Sequence, residues 1–482
     1  MQLSNTSLLQ SALFINNEWQ KTEQTFTVTN PATGAAIIDV SNAGETETAA
    51  AIKAAETAFK TWSKTTAKER SNLLRKWFDL IIANADDLAL LLTSEQGKPL
   101  AEAKGEVVYG ASFIEWYAEE CRRSYGETIP TPAPGKRLMT IKQPIGVVAA
   151  ITPWNFPIAM VTRKLGPAMA AGCTVVLKPA EDTPLCALAL AYLAKEAGIP
   201  KGVLNVVTTQ QSSVVGKVLT THAAVKKLSF TGSTEVGKVL MEQSSSTVKK
   251  LSLELGGNAP CIIFDDADIA AAVKGSIASK YRNAGQTCVC ANRILVQRNI
   301  YENFMEAYTK AVSEMKVGDG TGADVVIGPL INEKAINKVK RLLFDATEKG
   351  ATITLGGGQH EAGELFFEPT IVTNCTPEML LSQQEIFGPV SSIFVFDTVE
   401  EAIQLANDTP YGLAAYFFSQ NINRVYQVAE QLEYGMIGVN EGILSHTEAP
   451  FGGIKESGFG KEGSFYGMED YLVTKYICIG GL

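Results

Sequence analysis

Residues 145–178 read IGVVAAITPWNFPIAMVTRKLGPAMAAGCTVVLK. Two short apolar, β-branched runs, 145–152 and 173–178, flank a segment whose apolar residues recur at helical spacing. Continuous apolar runs of this length are the mark of strands buried on both faces. The pattern then repeats: PLCALALAYLAKEAG as a helix ended by Gly198 and Pro200, VLNVV, a helix around 212–220, KKLSF, a helix around 234–244, and KLSLEL. Strands alternating with helices of this length predict βαβ units and a parallel sheet covered on both sides. Such a sheet places its binding crevice at the carboxyl ends of its strands.

Working outward, residues 44–121 are helix-rich. ETETAAAIKAAETAFKTW is one helical pattern, and KERSNLLRKWFDLIIANADDLALLLTSEQGKP is another that stops at Gly97 and Pro99. PCIIFDDADIAAAVKGSIASKY opens a second strand–helix series that reaches about residue 435, so a second α/β domain starts near residue 259. The ending, from EGSFYGMEDY to KYICIGGL, is a strand-like tail with no partner of its own. It is expected to pair with an edge strand elsewhere, including one on another subunit.

A chain of 482 residues suggests about three domains or sub-domains. With 46% hydrophobic and 19% charged residues, it has the composition of a globular protein with large cores. The net charge of −9 argues against a nucleic-acid partner, which calls for a basic face. No apolar run of about 18 residues is present, and the first 20 residues lack a secretory pattern, so no membrane association and a cytoplasmic location are expected. The eight cysteines are scattered and the three histidines stand apart from them, so no metal site is expected.

Five short motifs fall at strand ends or in turns. FTGSTEVG (230–237) joins a strand to a helix, where Gly232 lets backbone approach a phosphate at the helix N-terminus. LKPAE puts Lys178 and Glu181 where an adenine ribose could be held. TPWNFP offers the Asn155 amide, LELGG the Glu254 carboxylate, and GQTCVC the thiols Cys288 and Cys290. Each also fits a structural role: a turn amide, a surface charge, a buried thiol. Together they describe a nucleophile, an oxyanion donor and a base beside a dinucleotide site.

PWNFP, KPAE, FTGSTEVG, LELGGNAP, GQTCVCANR, EIFGPV (385–390) and PFGGIKESGFGKEG (450–463) resemble the aldehyde dehydrogenase superfamily, in its order and over almost the whole chain. MVTRK (160–164), YRNAGQTCVCANR, GVNEGILSHTEAPFGG and KYICIGGL are similar to its succinate-semialdehyde branch. The resemblance implies an α/β protein with a Rossmann-type NAD(P)-binding domain (1–130 and 148–258) and a catalytic domain (259–435). A small β oligomerisation element (131–147 and 460–482) would complete a dimer or tetramer. It makes Cys288 the nucleophile, Glu254 the base and Asn155 an oxyanion donor. Cofactor contacts fall on Thr152, Pro153, Trp154, Lys178, Glu181, Gly232, Ser233, Gly237, Leu255, Glu385 and Phe387.

The same resemblance gives Arg163, Arg282 and Ser445 to a substrate carboxylate, and makes Cys290 a redox partner of Cys288 or a neighbour that stays reduced. The implied reaction oxidises succinate semialdehyde to succinate with NAD, or NADP, through a thiohemiacetal and a thioester. Glutarate semialdehyde or another ω-carboxylated aldehyde is the alternative substrate. A CoA-acylating dehydrogenase, in which CoA replaces water, is another alternative, against which Glu254 favours hydrolysis; two more are a thiol hydrolase without cofactor and a structural protein that kept the fold. Neither has a use for the whole set of motifs.

Overall fold

The computed structural model describes all 482 residues. Five parallel strands form the centre of its first sheet, in the spatial order Leu204–Val206, Thr174–Lys178, Val147–Ile151, Val225–Thr231, Lys250–Glu254. The chain starts in the middle, steps outward twice, then returns to the other side of its first strand. Connections therefore leave Val147–Ile151 and Val225–Thr231 in opposite directions, and a crevice opens between their carboxyl ends. Every residue of Val147–Ile151 and Thr174–Lys178 is buried, which is why these strands lack any polar alternation.

Antiparallel strands Leu13–Ile15 and Glu18–Gln20 close one edge, and the two-residue strand Gly458–Phe459 closes the other. The long helical pattern of residues 67–96 is broken at Asn84 into helices Ala67–Ala83 and Ala85–Gln96. Gly97, at φ +94°, ends the second helix in the left-handed conformation expected of a glycine cap.

A second sheet has six parallel strands, ordered Thr370–Thr373, Val390–Phe396, Ala291–Gln297, Ala259–Ile263, Ala414–Phe418, Met436–Val439, with Thr352–Leu355 antiparallel at one edge. Its last strand runs past residue 435, where the sequence pattern had been taken to end. Only the turn 255–258 separates Lys250–Glu254 from Ala259–Ile263, so the second sheet presents its amino ends to the carboxyl ends of the first. Each sheet packs its own apolar core.

The tail finds its partner within the chain. Leu472–Gly480 pairs antiparallel with Lys136–Pro144 over nine residues, and Thr128–Ile129 adds a third strand. The other edge of Leu472–Gly480 is unpaired. No helix is long and apolar enough to cross a membrane.

Candidate active site

Between the two sheets lies a cavity of about 360 Å³. Pro153, Trp154 and Asn155 reach it from the exit of the first strand, and Gly232 and Ser233 from the exit of Val225–Thr231. Leu255 lines it from the inter-sheet turn, and Glu385 and Phe387 from the turn before Val390–Phe396. Cys288 opens onto the same space from the turn before Ala291–Gln297. The nucleophile candidate thus stands at the amino end of a strand of the second sheet, opposite the crevice of the first.

The backbone that carries Cys288 is strained. Asn283, Ala284 and Gly285 have φ of 53°, 55° and 76°, and Phe387 has 56°. Left-handed backbone costs a non-glycine residue roughly 1–2 kcal/mol, so the surroundings must enforce it. They do so by contact: a Cβ on Gly285 would meet the Gly388 carbonyl at 2.1 Å, and one on Gly257 would meet the Cys288 carbonyl at 2.3 Å. Hydrogen bonds complete the clamp. The Asn155 carbonyl accepts from Lys98 Nζ (2.8 Å) and Asn283 Nδ2 (3.0 Å), and Asn155 Nδ2 donates to the Gln286 carbonyl (3.0 Å). Glu106 accepts from Lys98 Nζ and from the Ile158 and Ala159 amides, so one carboxylate caps the helix Ala159–Ala171 and orients the lysine.

Burial, followed by the charge of Glu385, pushes the Cys288 thiol up to about 12, while the Arg163 and Arg282 guanidiniums pull it down. Cys288 is half-buried and lines the partly open cavity between the sheets. Glu254 is buried beside the cavity and neither carboxylate oxygen has a hydrogen-bond partner. Burial and the neighbouring Glu462 hold its carboxyl well above the usual range. Glu462 pairs with Arg163 Nε (2.9 Å, off the line of a hydrogen bond) and with Lys164 Nζ (2.5 Å). Arg163 is 1% exposed, packs its guanidinium 3.9 Å over the Phe451 ring, and has no hydrogen-bond partner at Nη2.

Several features fit a dinucleotide. Ser233 caps the helix Thr234–Ser244, leaving that N-terminus directed at the crevice. A Cβ on Gly237 would meet Leu255 at 2.5 Å, so glycine lets helix and turn close on each other. The hydroxyls of Thr152 and Thr231 and the side-chain amide oxygen of Asn155, Oδ1, are buried without partners. Farther along the sheet, Glu181 accepts from Lys178 Nζ (3.3 Å) and Ser212 Oγ (3.1 Å).

Other candidates lie outside the cavity wall. Arg282 stands half-buried at the start of the Cys288 turn, 5.2 Å over the Phe156 ring, and Ser445 lies half-buried in the loop 440–450. Cys290 points elsewhere, its Sγ donating to the Lys280 carbonyl at 2.9 Å. Sequence reasoning missed the helix Glu333–Glu348, whose Asn332 cap, Lys334 and Lys338 face Phe387 across the cavity. The run NEK at 332–334 carried a helix-start signal but no sign of what that helix faces. It also missed Glu462 and the Lys98–Glu106 pair.

A doubly wound sheet whose crevice ends on a half-buried thiol is the arrangement of a thiol-dependent dehydrogenase. The chain belongs to the aldehyde dehydrogenase family, whose profile matches residues 19–477. It is 55% identical to the glutarate-semialdehyde dehydrogenase of Pseudomonas aeruginosa over 100% of both chains. It is 56% identical to the NADP(+) succinate-semialdehyde dehydrogenase of Escherichia coli, again over 100% of both. The crystal structure of succinate-semialdehyde dehydrogenase from Burkholderia pseudomallei is 56% identical and superposes with a TM-score of 0.99 over 100% of each chain.

Proposed function

We propose that this enzyme oxidises succinate semialdehyde to succinate, with glutarate semialdehyde and other ω-carboxylated aldehydes as the alternative substrates. The observation that carries this reading is Arg163: a fully buried guanidinium, stacked on Phe451, with Nη2 unpartnered and its charge acting on Cys288 together with that of Arg282. Two guanidiniums whose charges both reach the thiol can hold a carboxylate and offer a plain alkyl chain nothing. Ser445 adds a hydroxyl from the facing loop.

In this mechanism the Cys288 thiol loses its proton to solvent in the partly open cavity, and the thiolate adds to the aldehyde carbon. Asn155 Nδ2 turns from the Gln286 carbonyl to the new oxyanion, joined by the Cys288 amide. Thr152, Pro153, Trp154, Gly232, Ser233, Gly237, Leu255, Glu385 and Phe387 would hold a nicotinamide dinucleotide, which when bound would supply the hydride acceptor. Cys288 is left as a thioester. Glu254, once ionised, takes a proton from water, which cleaves the thioester and frees the acid. Cys290 becomes a redox partner of Cys288 only after releasing the Lys280 carbonyl.

Glu181 favours NAD. Against the burial that would raise it, Lys178 and Ser212 hold its carboxyl below the usual value, so it meets a 2′-phosphate as an anion. The eight cysteines are all free, in keeping with a cytoplasmic enzyme. The unpaired edge of Leu472–Gly480 and the exposed Val236 and Val239 support a homo-oligomer. The test is a panel of C3–C6 aldehydes with and without a terminal carboxylate, assayed with both cofactors. Succinate semialdehyde with NAD should have the highest kcat/KM. Equal efficiency for butanal would remove the reading.

A further inference from the structure

Tyr109 lies on the helix Leu100–Glu120, one turn before Phe113. Its ring meets Phe113 edge-on at 5.0 Å, and Phe113 in turn lies 5.4 Å from the Arg163 guanidinium. Ser112, on the same helix face, bonds the Thr447 hydroxyl at 2.5 Å, two residues beyond Ser445. The face is therefore wedged between the helix that carries Arg163 and the loop that carries Ser445. The Tyr109 hydroxyl is buried and has no hydrogen-bond partner.

The neighbours explain what is missing. Arg163 and Arg282 both act on this hydroxyl, and guanidiniums are donors only, so neither can take its proton. Burial keeps the phenol above its ordinary range, so it remains an O–H donor at neutral pH. Glu462, whose charge also acts on this hydroxyl, is ion-paired with Arg163 and Lys164, and the hydroxyl makes no bond to it. A buried O–H that makes no hydrogen bond within the folded chain is destabilising, unless a ligand brings an acceptor.

We propose that the Tyr109 hydroxyl donates to the distal carboxylate of the substrate, as a specificity-determining contact beside Arg163, Arg282 and Ser445. The proposal rests on the reading of an ω-carboxylated substrate. It adds that a neutral donor shares the anion with the arginines. The Tyr109→Phe variant removes one oxygen and keeps the ring, so its thermal melt should match that of wild type.

The expected result is a five- to tenfold rise in KM for succinate semialdehyde, with kcat nearly unchanged. The kcat/KM for butanal should not move, and succinate should weaken as a product inhibitor by a similar factor. An unchanged KM, or equal losses on both aldehydes, overturns the Tyr109 contact while leaving the substrate reading in place. A wild-type enzyme with no preference for the carboxylated aldehyde overturns both.

Discussion

Cys288 stood out as a nucleophile candidate from its motif, but its electrostatic condition could not be read there. A thiol held near 12 carries little thiolate at neutral pH, and the thiolate fraction grows about tenfold per pH unit below that value. Iodoacetamide alkylation of the cofactor-free enzyme should therefore climb without a plateau from pH 7 to pH 10. A plateau near pH 7 would mean that the two arginines prevail over burial. The Glu254→Gln variant should keep a burst of reduced cofactor while steady turnover falls at least about a hundredfold, the lower end expected for a lost general base. Loss of the burst would give Glu254 a part in thiol activation. At the other end of the site, Glu181→Ser removes the anion facing a 2′-phosphate. The ratio of kcat/KM with NADP to that with NAD should rise at least about tenfold, the equivalent of 1.4 kcal/mol.

At the scale of elements, the site is held by carboxylates that no motif announced. Glu95 accepts from the Leu185 and Cys186 amides, and Glu106 from those of Ile158 and Ala159, so the helix Ala85–Gln96 and its successor cap two helices of the sheet. Replacing Glu106 by Gln leaves Lys98 a buried, unpaired charge; breaking such a pair costs about 3–5 kcal/mol, which denaturant unfolding can measure. Glu462 acts on chemistry instead. Its negative charge helps hold Glu254 above the carboxylate range, so turnover should fall as the medium is acidified through that raised value. In Glu462→Gln the charge is gone and Arg163 and Lys164 are unopposed. The acid limb of kcat should then move to lower pH; a limb that stays in place would separate Glu462 from the base.

The whole molecule brings together surfaces that the chain keeps far apart. Val236 and Val239 are 47% and 50% exposed on a helix whose first turn faces the cavity, and Val473, Tyr476 and Ile479 are exposed along the tail strand, whose outer edge is open. Apolar residues beside an open strand edge invite a second copy of the chain. A Val239→Asp, Tyr476→Asp double variant should elute as a smaller species in size exclusion with light scattering. An unchanged mass would place the subunit contact elsewhere.

The order of strands and helices, the crevice, and Cys288, Asn155 and Glu254 as a set could be read from the sequence because they rest on local causes. Apolar runs, glycine stops and short motifs act within a few residues of themselves. The tail's partner, the three left-handed residues before Cys288, and the helix Glu333–Glu348 at the cavity could not, because each depends on contact between segments far apart in the chain. The same holds for the charges. Arg163 and Glu462 are 299 positions apart in the sequence and 2.9 Å apart in the structure. Only folding decides which buried cation is neutralised by the protein and which keeps a nitrogen free for a ligand, because that depends on geometry and desolvation and not on residue type.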